Sequence, residues 1–145
     1  MWHEIHNEKE LQGFLDQMWH FHDSCIKEIR YLSGAYVNSE GWMHPLNDKR
    51  VLSVILQGNF QNADVIEMEF SELEYLRLWP IDPTYTCEIF EAFMTWKNGN
   101  IYWYDCEGLL ENDADKEGTV ICAKHFRWRA VEGCSSPEDF YKAAK

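Results

Sequence analysis

Basic residues are scarce in this sequence: 13 lysines and arginines stand against 25 aspartates and glutamates, a formal charge of -12 at pH 7. The resulting field repels phosphate backbones and anionic lipid surfaces, so neither nucleic acid nor the membrane is an expected partner, and a basic protein is. No apolar run approaches the roughly 20 residues needed to cross a bilayer. The stretch from Met1 to Glu10 carries acids and histidines where a secretory signal has a basic start and an apolar core. The expected location is the cytoplasm. No CxxC pair occurs, and the five cysteines (Cys25, Cys87, Cys106, Cys122, Cys134) make an odd count. That pattern speaks against a zinc knuckle or a disulfide frame and predicts reduced thiols, most of them small core residues. Gly99, Gly108 and Gly118 are isolated, so no phosphate-cradling loop is present; GxSxG and a cysteine-protease context around Cys25 are also missing. No cofactor is expected from this inventory. Repeats of solenoid or propeller period and low-complexity stretches are likewise absent.

What remains is 145 residues, 46% hydrophobic and 15% aromatic, enough to fold residues 1–145 as one domain around its own core. Leu11, Phe14, Leu15 and Met18 follow the i, i+3, i+4, i+7 spacing of a helix with one buried stripe. Asn7 and Glu10 are placed to cap its start. From Cys25 the chemistry turns to strand and stays so to Val37; the segment Asn38 to Lys49, with Gly41, Pro45 and Asn47, interrupts it. Val51 to Gln57 is a nearly continuous β-branched run, the mark of a strand covered on both faces. Val65 to Phe70 alternates, with Ile66, Met68 and Phe70 inward and Glu67 and Glu69 outward. Near Glu72 the apolar parity switches, so Ser71 to Leu78 reads either as one turn of helix or, the preferred reading, as a break followed by more strand. Asn98-Gly99 marks a two-residue hairpin. It would put Phe90, Met94, Trp96, Ile101 and Trp103 on one face and Phe93, Thr95, Tyr102 and Tyr104 on the other. Val120 to Val131 reads as a long strand, and Ser136-Pro137-Glu138-Asp139 as the start of a short C-terminal helix carrying Phe140 and Tyr141. The predicted class is α+β: an N-terminal helix, a curved antiparallel sheet or partial barrel of about six or seven strands, and a short C-terminal helix.

Three constellations bear on chemistry. In His20-Phe21-His22-Asp23, an extended backbone would aim both imidazoles the same way, toward a metal; a turn would leave Asp23 or Ser24 as a cap and one histidine exposed. His3 and His6 could join such a cluster or stay solvated. The cupin pattern fails on spacing, so no metal site is assigned. Asp113, Asp115, Glu117 and Gly118 match the first half of a calcium loop, but Lys124 stands where a bidentate glutamate belongs, which leaves a solvated acidic loop. His125, Arg127 and Arg129 form a basic stripe opposite Phe126 and Trp128. It suits either bidentate grip of a ligand's carboxylate or phosphate, or cross-strand pairing with glutamates. Tyr102 and Tyr104 add an amphipathic aromatic face of the kind that partners use.

The run Phe21-His22-Asp23-Ser24-Cys25-Ile26-Lys27-Glu28-Ile29, continued through Tyr31, Gly34, Tyr36 and Val37, resembles a segment of small uncharacterised bacterial proteins with an FHDSC-type signature. The likeness extends to Arg127-Trp128-Arg129. No activity is established for such proteins, so the resemblance carries no catalytic residue. A looser similarity, confined to the FHD entry into a β-rich body and the acidic charge, is to immunity proteins of bacterial toxin systems. That resemblance implies a non-enzymatic module binding a basic protein. The alternative is a small-ligand or metal-binding enzyme with a site around His20, His22 and Asp23 or around Arg127 and Arg129. An edge strand or aromatic face would also support a homodimer.

Overall fold

The computed structural model describes residues 1–110 and 117–137. In chain order the elements are β1 (His3–Ile5), α1 (Glu8–Gln17), a 3-10 turn (Trp19–Phe21), β2 (Cys25–Leu32), β3 (Tyr36–Val37), β4 (Met43–His44), β5 (Val51–Phe60), β6 (Ala63–Arg77), β7 (Phe93–Lys97), β8 (Asn100–Tyr104) and β9 (Val120–Ala130). Seven strands form one open sheet in the order β2-β5-β6-β9-β8-β7, with β1 also on β9; β3 and β4 pair separately. Every pairing is antiparallel. The α+β reading therefore holds for the helix and the sheet. The expected C-terminal helix falls on residues 138–145, outside the described residues, as do Asp113 and Asp115 of the calcium-like loop.

Helix α1 begins where Asn7 Oδ1 accepts from Glu10 N at 2.9 Å, while the Glu10 carboxylate accepts from His6 N rather than from the cap's own N–H, at 2.8 Å. Its stripe of Leu11, Phe14, Leu15 and Met18 is wholly buried on one face of the sheet. There it meets Leu52, Val54 and Leu56 of β5, Ile66, Met68 and Phe70 of β6, and Phe126 and Trp128 of β9. Each such side chain taken from water is worth about 1.5–3 kcal/mol. The aromatics interlock: Phe14 lies 5.1 Å from Phe126, and Phe21 lies 5.9 Å edge-on to Trp103.

The strand signals resolve as local chemistry requires. Asn98 and Gly99 both take positive φ, +54° and +77°, and Lys97 faces Asn100 across the turn. The parity switch near Glu72 is a break in pairing: Glu72 has φ +49°, and the β6–β9 register skips between Leu73 and Tyr75. The extra residue lets Leu73 and Leu76, three apart, both pack on the core. β5 is covered on both faces as expected, since Ile55 joins Val65 and Cys134 in a second, smaller cluster on the far side.

Several expectations are corrected. Glu67 does not point to water: it is 2% exposed, because the far side of the sheet carries an ion-pair row. Phe90 lies outside the hairpin and is 67% exposed, because the strand begins only at Phe93. The strand from Cys25 stops at Leu32, ahead of a positive φ at Gly34, and the interrupting segment contains β4. Only Cys122 and Cys134 are buried; Cys87 and Cys106 are exposed.

Two of the sheet's edges are closed. Along β7 the Trp96 N–H donates to Glu8 Oε2 at 3.0 Å, and Gln12 Nε2 donates to the Met94 carbonyl at 3.2 Å, so α1 caps the strand it covers. On β9, β8 pairs with Val120–Ala123 and β1 continues the same side at Phe126–Trp128. Among the described residues, β2 and the outer side of the three-residue β1 carry no second ladder.

Candidate functional site

The segment 78–92, between β6 and β7, cannot run on as strand, because Pro80 and Pro83 remove ladder donors. It folds instead as a loop pinned at three places. Trp79 N donates to Thr119 Oγ1 at 3.1 Å. Asp82 accepts from both Thr84 N and Thr84 Oγ1, at 2.8 and 2.6 Å, a side-chain-closed turn whose hydrogen bonds hold the Asp82 carboxyl below its usual range. At the far end Asp23 N donates to the Ile89 carbonyl at 3.0 Å, Ile89 N to the Ser24 carbonyl at 2.8 Å, and Ala92 N to the His20 carbonyl at 2.8 Å.

That last anchor is the His20-Phe21-His22-Asp23 segment, and its conformation is the opposite of extended. Trp19, His20, Phe21 and Asp23 have φ of +53°, +52°, +61° and +58°. Such backbone is strained for L-residues and persists where surrounding contacts hold it. Phe21 supplies the packing, fully buried, and Ser24 Oγ donates to the Phe21 carbonyl at 2.6 Å. The two imidazoles therefore do not converge: His20 Nε2 lies 3.1 Å from Asp16, and His22 Nδ1 lies 3.0 Å from Asp23. Among the described residues no three His, Cys, Asp or Glu side chains come together as a metal set.

Between the 78–92 loop and the start of the β8–β9 connection lies a cleft of about 670 Å³. Its described lining includes four carboxylates, Asp82, Glu88, Asp105 and Glu117, and no lysine or arginine. Trp79, Tyr85 and Phe90 supply aromatic walls, each 45% exposed or more. Asp105 forms the innermost acid; it accepts from Thr119 N at 2.8 Å, and burial pushes its carboxyl up, opposed by that bond and by Arg77 behind it. The Glu88 carboxyl is also raised, first by a hydrogen bond to Asp23 and then by that residue's like charge. Asp23 thus brings the FHD turn to the cleft's rim.

The other sequence candidates lie elsewhere. His125, Arg127 and Arg129 do share one face of β9, but cross-strand glutamates occupy them. Arg127 Nε and Nη2 reach Glu69 Oε1 at 2.8 and 2.7 Å, Arg129 makes the same contacts with Glu67 Oε2, and His125 lies 3.2 Å from Glu72. The Trp2 ring covers both guanidinium carbons, at 4.2 and 4.4 Å. The stripe is a closed lattice of charge rather than an open fork. Tyr104 stacks on Phe93 at 5.4 Å, and Tyr102 bonds to Cys122, which with burial raises its hydroxyl pKa. Both are half-buried and away from the cleft lining.

The cleft residues went unnoticed as a group in the sequence. One signal was available: a proline-broken connection of fifteen residues that carries both acids and exposed-size aromatics is longer than strand pairing needs. No family model, curated protein or solved structure matches this chain. Among the described residues no helix is long and apolar enough to cross a membrane.

Proposed function

We propose that this protein is a non-enzymatic, cytoplasmic binding module that captures a basic protein partner, in the manner of a toxin-immunity protein, by seating a cationic side chain in the cleft under the 78–92 loop. The lining carries the reading: four carboxylates and three aromatics without a described basic residue. A guanidinium or ammonium entering there meets charge-assisted acceptors at Asp82, Glu88 and Asp105 and a π face at Trp79 or Tyr85. Partly desolvated aromatic and charged anchors of this kind carry most of the affinity in protein interfaces. The -12 formal charge adds long-range attraction for a basic partner and makes association salt-dependent.

Titration calorimetry with an amidated arginine-glycine peptide tests this. Binding is expected to weaken several-fold in high salt and again in Asp82→Asn and Glu88→Gln, while Glu40→Gln on the exposed 33–49 segment leaves it unchanged. Binding that ignores the cleft variants, or no binding at low salt, sinks the reading.

A second reading, a small-ligand enzyme, rests on the Glu88 carboxyl at the rim, which its neighbour Asp23 raises. It predicts that small cations such as polyamines or arginine amide alone raise the melting temperature of the wild type and not of Glu88→Gln.

A further inference from the structure

We propose that Cys25 and Cys87 are a redox-sensitive pair that hydrogen peroxide joins in a disulfide, pinning the 78–92 loop to the start of β2. The inference does not depend on what the cleft binds. Both thiols are free, Cys25 half-buried and Cys87 exposed on the cleft lining. Where thiols are otherwise kept reduced, the disulfides that do form are mostly transient ones of this sensing kind.

The backbone brings the two together. Asp23 N donates to the Ile89 carbonyl and Ile89 N to the Ser24 carbonyl, an antiparallel bridge at the mouth of β2. From that bridge β2 runs forward to Cys25, while the loop, running the other way, leads back through Glu88 to Cys87. Both thiols therefore lie beyond the bridge in the same direction. Glu88 stays against this strand, since its carboxyl meets the Asp23 side chain. Cys25 has Gln57 of β5 as its neighbour on one side, which leaves its other side to the loop. The thiols are near enough that a charge on Cys87 is felt at Cys25.

Accessibility sets the order of events. Cys87 is exposed and meets the oxidant first, whereas burial pushes the Cys25 thiol up, with Cys87 adding to the rise and Lys27 opposing it. The Cys87 thiolate attacks one peroxide oxygen, the O–O bond breaks, and the other oxygen leaves as water once protonated, so Cys87 becomes a sulfenic acid. The Cys25 sulfur, giving up its proton, then attacks the Cys87 sulfur; the S–O bond breaks and a second water leaves. Each thiol gives up one hydrogen, and one peroxide becomes two waters. The product ties the cleft wall that carries Cys87, Glu88 and Ile89 to the sheet by a covalent bond beside its two backbone bonds. Cys106, exposed on the cleft's other wall, is the competing partner.

Non-reducing mass spectrometry of the full chain, reduced, desalted and then treated with hydrogen peroxide, reads the outcome. The monomer is expected to lose the mass of two hydrogens and to yield a Cys25–Cys87 cross-linked peptide that dithiothreitol separates. The link is expected to form many-fold faster in buffer than in urea, and Cys106→Ser to keep it. Cys25→Ser, with unchanged circular dichroism, is expected to stop at a Cys87 sulfenic acid that dimedone traps, and Cys87→Ser to form no link at Cys25. Thermolysin is expected to cut the 78–92 loop more slowly in the oxidised chain. The proposal is overturned by the lack of an intramolecular link, by a link from Cys87 to Cys106 instead, by one that forms as fast in urea, or by a loop cut as fast after oxidation as before.

Discussion

Glu67 and Arg129 face each other across β6 and β9, and the glutamate, though only 2% exposed, is fully engaged. Its Oε2 receives Arg129 Nε and Nη2 at 2.8 and 2.7 Å, and its Oε1 receives Ser53 Oγ at 2.6 Å. A carboxylate placed on the solvent side of an alternating strand is thereby buried, with its oxygens matched by donors.

Removing the glutamate takes from Arg129 its closest acceptor and from the Ser53 hydroxyl its partner. Glu67→Ala is expected to lower stability by about 3 kcal/mol, seen as a shift of the urea midpoint at constant slope. Glu67→Leu with Arg129→Met and Ser53→Ala is expected to recover most of that loss, because neither the guanidinium nor the Ser53 hydroxyl is then left without its acceptor. A Glu67→Ala variant as stable as the wild type would show that the pair carries no strain of burial.

Trp103 is completely buried, and among the described residues its indole Nε1 has no hydrogen-bond partner. An orphaned donor costs about 1–3 kcal/mol, which offsets part of what the larger ring gains by burial. Trp103→Phe is therefore expected to change stability by less than about 1.5 kcal/mol, whereas Phe21→Ala, which empties a site among Phe14, Phe60 and Trp103, should cost about 3–5 kcal/mol. Chemical denaturation of the two variants side by side checks the contrast.

Burial raises the Asp105 carboxyl above its ordinary 3.8. The folded state then holds this proton to higher pH than the unfolded state does. The neutral form's advantage is present below the unfolded value, and stability falls as pH climbs from there through the raised folded value. Asp105→Asn keeps an oxygen for Thr119 N and cannot ionise, so its stability profile should lack this decline and lie above the wild type at neutral pH. Denaturation midpoints measured from acid to neutral pH decide it; parallel profiles would refute the assignment. Arg77, whose charge favours the ionised carboxyl, works against the shift and makes it smaller than burial alone would.

The sequence alone determined the parts that repeat within a few residues. The stripe of α1, the two-sided cover of β5, the Asn98-Gly99 hairpin, the parity break near Glu72 and the opposed faces of β9 each follow from local spacing, because a helix and a strand turn their side chains at set intervals. Periodicity also found that Arg127 and Arg129 share a face, without saying what lies opposite. Tertiary structure decided that question, as it decided the burial of Glu67, since both depend on β6 and β9 meeting 58 to 62 residues apart in the chain. It turned His20-Phe21-His22-Asp23 from an extended ligand pair into a left-handed clamp, because buried Phe21 and the bonds to Ile89 and Ala92 outweigh the backbone's preference. The cleft has the same origin: Asp82 and Glu88 sit on the 78–92 loop and Asp105 just past β8, and they become one acidic wall only when the loop closes against Thr119 and Ser24.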